Sequence, residues 1–218
     1  YEIEACLVGS EMCIRDSHKP NARVGEDGET LFIDYPSLTL DKYDNTYIQD
    51  SIKLEFGGRN FITPNDNYKV STYVALHINN LEFPTANVTV LSPEKTFWEK
   101  MTLIHYECNR DKIKTDANRI SRHWYDVVRL FECSIGQSAI QNTDLLLSVV
   151  NLKKAFYNAS YANYDDCLNG NFKLLPDNAG LKSLEADFSK MVDNNMFDTA
   201  PPSFEAIIDA VRKLQGIV

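Results

Sequence analysis

Ser92-Pro-Glu-Lys-Thr-Phe-Trp-Glu-Lys100 is where this chain changes character. Ser92 offers a capping hydroxyl, Pro93 a φ already suited to the first helical turn, and Glu94 a carboxylate beside the free amides, which together predict a helix start. From there apolar residues recur at helical spacing, with Phe97, Met101, Ile104 and Cys108 on one stripe. A second block, Ser121-Arg-His-Trp-Tyr-Asp126, opens another helix with the stripe Ile120, Trp124, Val127, Val128 and Phe131. The polar loop 109–116 makes the two simplest to read as antiparallel neighbours. Further helices are expected over 144–157, 181–192 and 204–215, the last two behind the breakers Asn178-Ala-Gly180 and Pro201-Pro202-Ser203.

Upstream of Leu91 the pattern is one of short alternating segments. Strands are expected over 30–33, 51–56, 68–77 and 88–91, separated by turn formers such as Gly57-Gly58 and Pro64-Asn65-Asp66-Asn67. The fold class that follows is α+β, a mixed sheet over 18–91 and a helical bundle over 92–218. In the strand Ile52-Lys-Leu-Glu-Phe56, side-chain alternation puts Ile52, Leu54 and Phe56 on a face expected to pack, and Lys53 and Glu55 on a face expected to look outward.

Residues 1–17 are set apart from this pattern. Glu11-Met-Cys-Ile-Arg-Asp16 back-translates as GAG ATG TGT ATA AGA GAC, which looks like the transposon end used in sequencing libraries. We therefore read 1–17 as adapter-derived and begin the protein at His18. The remaining 201 residues suffice for one large domain or two small ones with a real core.

Without 1–17 the formal charge moves from −9 to −6. That mild acidity argues against affinity built on coating nucleic-acid phosphates, while leaving room for one local basic patch. No apolar run of about 18 residues is present, so no membrane span is indicated. Cys108, Cys133 and Cys167 form neither a Cys-x-x-Cys pair nor a cluster with histidine, which fits buried free thiols in a reducing cytoplasm.

The charged residues of the two helices admit two readings each. Lys100 lies three residues after Phe97, at the margin of the stripe, where it either snorkels to solvent or reaches a cleft. Arg122, Asp126 and Arg129 fall together at i, i+4 and i+7, as a surface ion-pair ladder or as a cleft wall. His123 is a general base by type alone, and neither His77 nor His105 has metal-ligand spacing with a partner.

The blocks Thr96-Phe-Trp-Glu-Lys100 and Arg122-His-Trp-Tyr-Asp126 resemble the AbiEii/AbiGii toxin family of bacterial nucleotidyltransferases, the resemblance covering most of 18–218 and being sharpest from Val90 to Leu130. Lys95 stands where that family usually has arginine. What the resemblance implies is magnesium-dependent transfer of a nucleoside monophosphate from a nucleoside triphosphate to a target for which RNA is the candidate, by a toxin of a phage-defence, abortive-infection pair with a cognate antitoxin. It implies catalytic roles for Glu55, Lys100 and Asp126, with Glu55 as metal ligand, and nucleotide contacts from Arg59, Lys95, Thr96 and Arg122. The chain has no Gly-Gly-Thr turn and no Asp-x-Asp pair. We therefore expect the metal-binding front of such an enzyme to be missing and this fragment to be inactive. The rival expectation is a non-catalytic helical module that binds an antitoxin or RNA.

Overall fold

A computed structural model of the chain describes residues 21–35, 49–58, 61–111, 113, 119–197 and 199–218. The segment 1–17 and Arg59 lie outside the described residues. The chain divides between Val90 and Leu91 into two compact units, and the class is α+β.

In the first unit β1 (Asn21–Val24), β2 (Thr30–Asp34) and β3 (Ser51–Glu55) form a sheet in which β1 pairs antiparallel with β2 and β2 with β3. Sequence reading missed β1, although Asp27-Gly28 between two β-rich runs is a hairpin signal. Gly28 has φ +68°, a left-handed conformation that favours glycine. Asp27 closes the turn by accepting from the amides of Glu29 and Thr30 and from the Thr30 hydroxyl, at 3.0, 2.9 and 2.7 Å. These bonds, led by the Thr30 hydroxyl, hold its carboxyl below the usual range.

The register sets Leu54 opposite Leu31 and Ile52 opposite Ile33, with Lys53 opposite Phe32 and Glu55 opposite Thr30. The expected packed face is not closed: Ile52 is 52% exposed and Phe56 61%. Alternation therefore sorted the side chains correctly without deciding which face would be covered. β4 (Asn65–Ser71) and β5 (Thr85–Leu91) form a second, two-stranded sheet, tied by the Thr89 hydroxyl donating to Asn67 Oδ1 at 2.9 Å. The strand expected over 68–77 stops at Ser71. The Ala75 and His77 amides donate to Thr72 and Val74 carbonyls, and Tyr73–Leu76 becomes a single 3-10 turn.

The second unit holds α1 (Pro93–Asn109), α2 (Arg122–Glu132), α3 (Ile135–Gln141), α4 (Thr143–Phe156), α5 (Tyr164–Leu168), α6 (Asn178–Asp193) and α7 (Phe204–Gln215). Ser92 caps α1 by accepting from the Lys95 amide at 3.1 Å, with Pro93 in the first turn. The α1 stripe is the centre of the core, Phe97, Met101 and Ile104 being fully buried with Trp124, Val127 and Val149 around them. Two indoles anchor separate layers, Trp98 donating to the Ala139 carbonyl at 3.0 Å and Trp124 to the Leu174 carbonyl at 2.9 Å.

The short helices α3 and α5 were missed because neither carries a full amphipathic repeat. Gly136 in α3 is needed for close approach, since a Cβ there would lie 2.7 Å from Phe131 Cα and 3.0 Å from a Phe97 ring carbon. The thiols also need one correction: Cys108 and Cys167 are buried, and burial pushes each up to about 12, whereas Cys133 is exposed.

The start of α2 is held from α6. Ser121 does not cap its own helix; its hydroxyl donates to Asp187 Oδ2 at 2.6 Å, beside its amide at 2.9 Å, while the Arg119 amide reaches Asp187 Oδ1 at 2.7 Å. Removing that carboxylate orphans amides in a site where Asp187 and Ser121 are 9% and 2% exposed. Asp187→Ala is expected to destabilise the helical unit by roughly 2–4 kcal/mol in denaturant titrations followed by tryptophan fluorescence, and exposed Glu185→Ala by less than about 0.5 kcal/mol. Equal effects of the two would contradict this account of the α2 start.

Candidate functional site

The charged residues of the two helix motifs meet where α1 passes α2. Lys100 Nζ donates to Asp126 Oδ2 at 2.7 Å, with side chains 23% and 35% exposed. The ladder reading of α2 fails on this contact. Asp126 turns across to α1, while Arg129 pairs with Glu132 at 2.8 Å along its own helix. Arg122 is exposed at the α2 start.

Around the pair lie three groups whose burial matters. Lys95 is 1% exposed, with its ammonium 3.8 Å from Glu99 Oε1, a carboxylate oxygen that is itself buried and lacks a hydrogen-bond donor. Lys153 of α4 is partly buried, and desolvation lowers its affinity for a proton; Glu99 opposes that shift and Lys95 adds to it. Glu99 and Lys153 were not singled out from sequence. An acid four residues after Lys95 on one helix face was the available signal for Glu99, while nothing in the α4 sequence distinguishes Lys153 from Lys154.

His123 sits among these charges with its Nδ1 buried and unpartnered. Burial lowers it to about 4, with Lys100 and Arg122 pushing the same way and Asp126 opposing. It is therefore neutral near pH 7. Lys100, Arg122 and Lys153 all act on His123 against Asp126, so positive charge is in excess about this ring on a chain of formal charge −9. An excess of that sign suits phosphate oxygens, and its field is stronger where water is partly excluded.

The remaining described sequence candidates make other contacts. Thr96 uses its hydroxyl locally, donating to the Ser92 carbonyl at 3.2 Å. Glu55 lies in the sheet unit and pairs with Lys53 at 2.6 Å, both side chains at least half exposed. Among the described residues no three His, Cys, Asp or Glu side chains come together, so these residues do not by themselves make a metal centre.

The depressed His123 gives a pH dependence whose sign is fixed. The unfolded chain takes up a proton at this position near pH 6.5, while the folded chain resists it until about 4. Stability is thus full above pH 6.5 and falls as the pH drops through that window, by up to about 3 kcal/mol. Denaturation midpoints at pH 7.5 and pH 4.5 should differ clearly, and His123→Gln should narrow the difference. An unchanged gap in that variant would assign the acid sensitivity to other groups, His105 first among them because its burial also lowers it.

Comparison with known proteins bears on the family of the chain. The model of the family described as Nucleotidyl transferase AbiEii toxin, Type IV TA system, matches residues 4–210, starting inside the segment 1–17 that sequence reading set apart. No curated protein and no solved structure matches the chain. A match over nearly the whole length, with both helix motifs inside it, decides the family: this chain belongs to the AbiEii nucleotidyltransferase toxins of type IV toxin–antitoxin systems.

Proposed function

We propose that the Lys100–Asp126 pair serves transfer of a nucleoside monophosphate from a nucleoside triphosphate to an RNA acceptor. The observation that carries this reading is the 2.7 Å contact joining two motifs from separate helices, partly shielded from water, with Arg122 and Lys153 acting on the neighbouring His123. Lys100 supplies positive charge where negative charge accumulates on the leaving pyrophosphate. Asp126 aims the ammonium, since a lysine on four rotatable bonds is otherwise a mobile point charge. Arg122, exposed beside the pair, is placed to meet further phosphate oxygens. Lys95, buried against Glu99, acts on the local field.

Membership in a toxin–antitoxin family implies an antitoxin partner and a nucleoside triphosphate substrate. Nucleotidyl transfer generally uses a divalent metal, and we assign magnesium to this one. The chain carries no Asp-x-Asp. On this reading Glu55 is the third acid of a metal site whose other carboxylates this sequence does not hold, and the chain alone transfers nothing. A cytoplasmic place of action goes with such a substrate; no helix among the described residues is long and apolar enough to cross a membrane.

In a form of the protein that carries the Asp-x-Asp turn, labelling of cellular RNA from a radiolabelled nucleoside triphosphate is expected. Lys100→Ala and Asp126→Ala should each lower the rate about 10²–10³-fold. Because the pair is partly solvated, both variants should stay within about 1 kcal/mol of the parent stability, so that lost activity is not lost fold. Labelling indifferent to both substitutions, or absent from every RNA pool, would turn the reading toward a non-catalytic module that binds an antitoxin or RNA.

A further inference from the structure

A groove of about 420 Å³ runs between the C-terminal half of α6 and the residues that lead into α7. On α6 the lining residues Glu185, Phe188, Val192 and Asp193 recur at i, i+3, i+7 and i+8, so they share one side of the helix. Phe188 is the floor, 4% exposed and held by ring contacts with Phe197 and Phe204 at 5.5 and 5.9 Å. Val192 beside it is 39% exposed, apolar surface that the fold leaves uncovered. The opposite wall is Pro201-Pro202-Ser203-Phe204.

The polar groups of this groove accept and scarcely donate. Glu185 and Asp193 are exposed carboxylates eight positions apart on α6, roughly 12 Å along the axis. Among the described residues neither pairs with a cation, and no lysine, arginine or histidine lines the groove. Pro201 and Pro202 bring carbonyls and no N–H. The two hydroxyls are engaged locally, Ser203 accepting from the Ala206 amide and Ser189 donating to the Glu185 carbonyl. An acidic, acceptor-rich rim repels phosphate, so neither a nucleic-acid strand nor an anionic membrane suits it. A bare cation would leave the apolar floor unfilled.

We propose that this groove docks an extended segment of a basic protein, in which two lysine or arginine side chains flank one apolar side chain at alternate positions. Charge complementarity selects the cations, and Val192 beside Phe188 selects the apolar residue between them. Spacing selects the conformation. In an extended chain residues i, i+2 and i+4 point the same way and span roughly 13 Å, close to the separation of Glu185 and Asp193 along α6. An extended segment also has amides free to donate to the proline carbonyls, whereas a helical one uses its amides internally. The groove shares no residue with the Lys100–Asp126 pair or with the charges about His123, so this docking stands apart from nucleotidyl transfer.

The test is fluorescence anisotropy of a fluorescein-labelled peptide, Gly-Lys-Thr-Leu-Thr-Lys-Gly, titrated with this chain. The peptide should bind with a dissociation constant below about 1 mM, and serine in place of its leucine should weaken binding at least about threefold. Glu185→Lys and Asp193→Lys should each weaken it at least about fivefold, and Val192→Ser about threefold. Glu82→Lys, an equal change of net charge on an exposed loop outside the groove, should leave the affinity within about twofold. All four positions are exposed, and the emission of the buried Trp98 and Trp124 checks that each variant is folded. No binding at about 1 mM overturns the assignment. So does a Glu82→Lys loss equal to that of Glu185→Lys, which would mean attraction by net charge alone, or equal binding of the serine peptide, which would leave a cation-binding rim only. Tighter binding of a helical peptide with lysines eight positions apart would overturn the extended form. A labelled single-stranded uridine oligomer that binds and is weakened by Val192→Ser would assign the groove to RNA instead.

Discussion

An irregular stretch of backbone lies against the helical unit with alternate side chains buried, and side chains of three helices satisfy it. Phe172 and Leu174 are 5% and 0% exposed, yet this stretch belongs to neither helix nor strand. Its polar groups must therefore find partners elsewhere. The Lys173 amide donates to His105 Nδ1 at 2.9 Å, the Leu174 amide to Gln215 Oε1 at 2.6 Å, and the Leu174 carbonyl accepts from Trp124 Nε1. Those three side chains come from α1, α7 and α2. One segment thus fixes three helices to each other, and α1 and α2 are the two that carry Lys100 and Asp126.

The same network includes His105, whose affinity for a proton is lowered chiefly by burial. With Nδ1 accepting from Lys173, the ring proton is on Nε2, facing the Asn163 carbonyl at 3.2 Å. A charged ring would have to donate from both nitrogens and would set an N–H against the Lys173 amide, which works with burial, while the bond to the Asn163 carbonyl works against it. His105 has structural work in this arrangement, and the candidate chemistry lies on the neighbouring faces of α1.

Much of the helical unit was legible because local and tertiary signals coincide there. The cap at Ser92, the α1 stripe and the breakers before 204 all describe features that burial then reinforced, and α7 covers the residues expected of it. The failures have separate causes. The span 68–77 has β-rich composition throughout, but hydrogen bonds to Thr72 and Val74 turn its second half. The face carrying Ile52 and Phe56 looks like core by alternation, whereas coverage of a face depends on what packs there and is not a property of the strand. Of the candidate site, Lys100 and Asp126 were named on the family resemblance, since spacing alone also allowed a surface lysine and a surface ion-pair ladder. Their contact could not be read from sequence, because it joins residues 26 positions apart. Asp187 was invisible for a related reason: its partners at Arg119 and Ser121 are set by helix packing.

Three lysine–carboxylate pairs show how burial grades what a charge can do. Lys53–Glu55 is short, 2.6 Å, but its side chains are 50% and 71% exposed, so water and salt screen most of its field. Lys95–Glu99 is the reverse, 2% and 18% exposed yet 3.8 Å apart, with its charge out of a ligand's direct reach. Lys100–Asp126 combines 2.7 Å with intermediate exposure. Two unit charges at 4 Å interact by about 1 kcal/mol in bulk water and by about 4 kcal/mol at the effective dielectric of a protein surface, and the gain applies equally to a charge arriving from outside. A lysine must be shielded enough for that gain and open enough to be touched. Of these three pairs, Lys100–Asp126 meets both conditions, and the buried segment that locks α1 against α2 is what keeps it there.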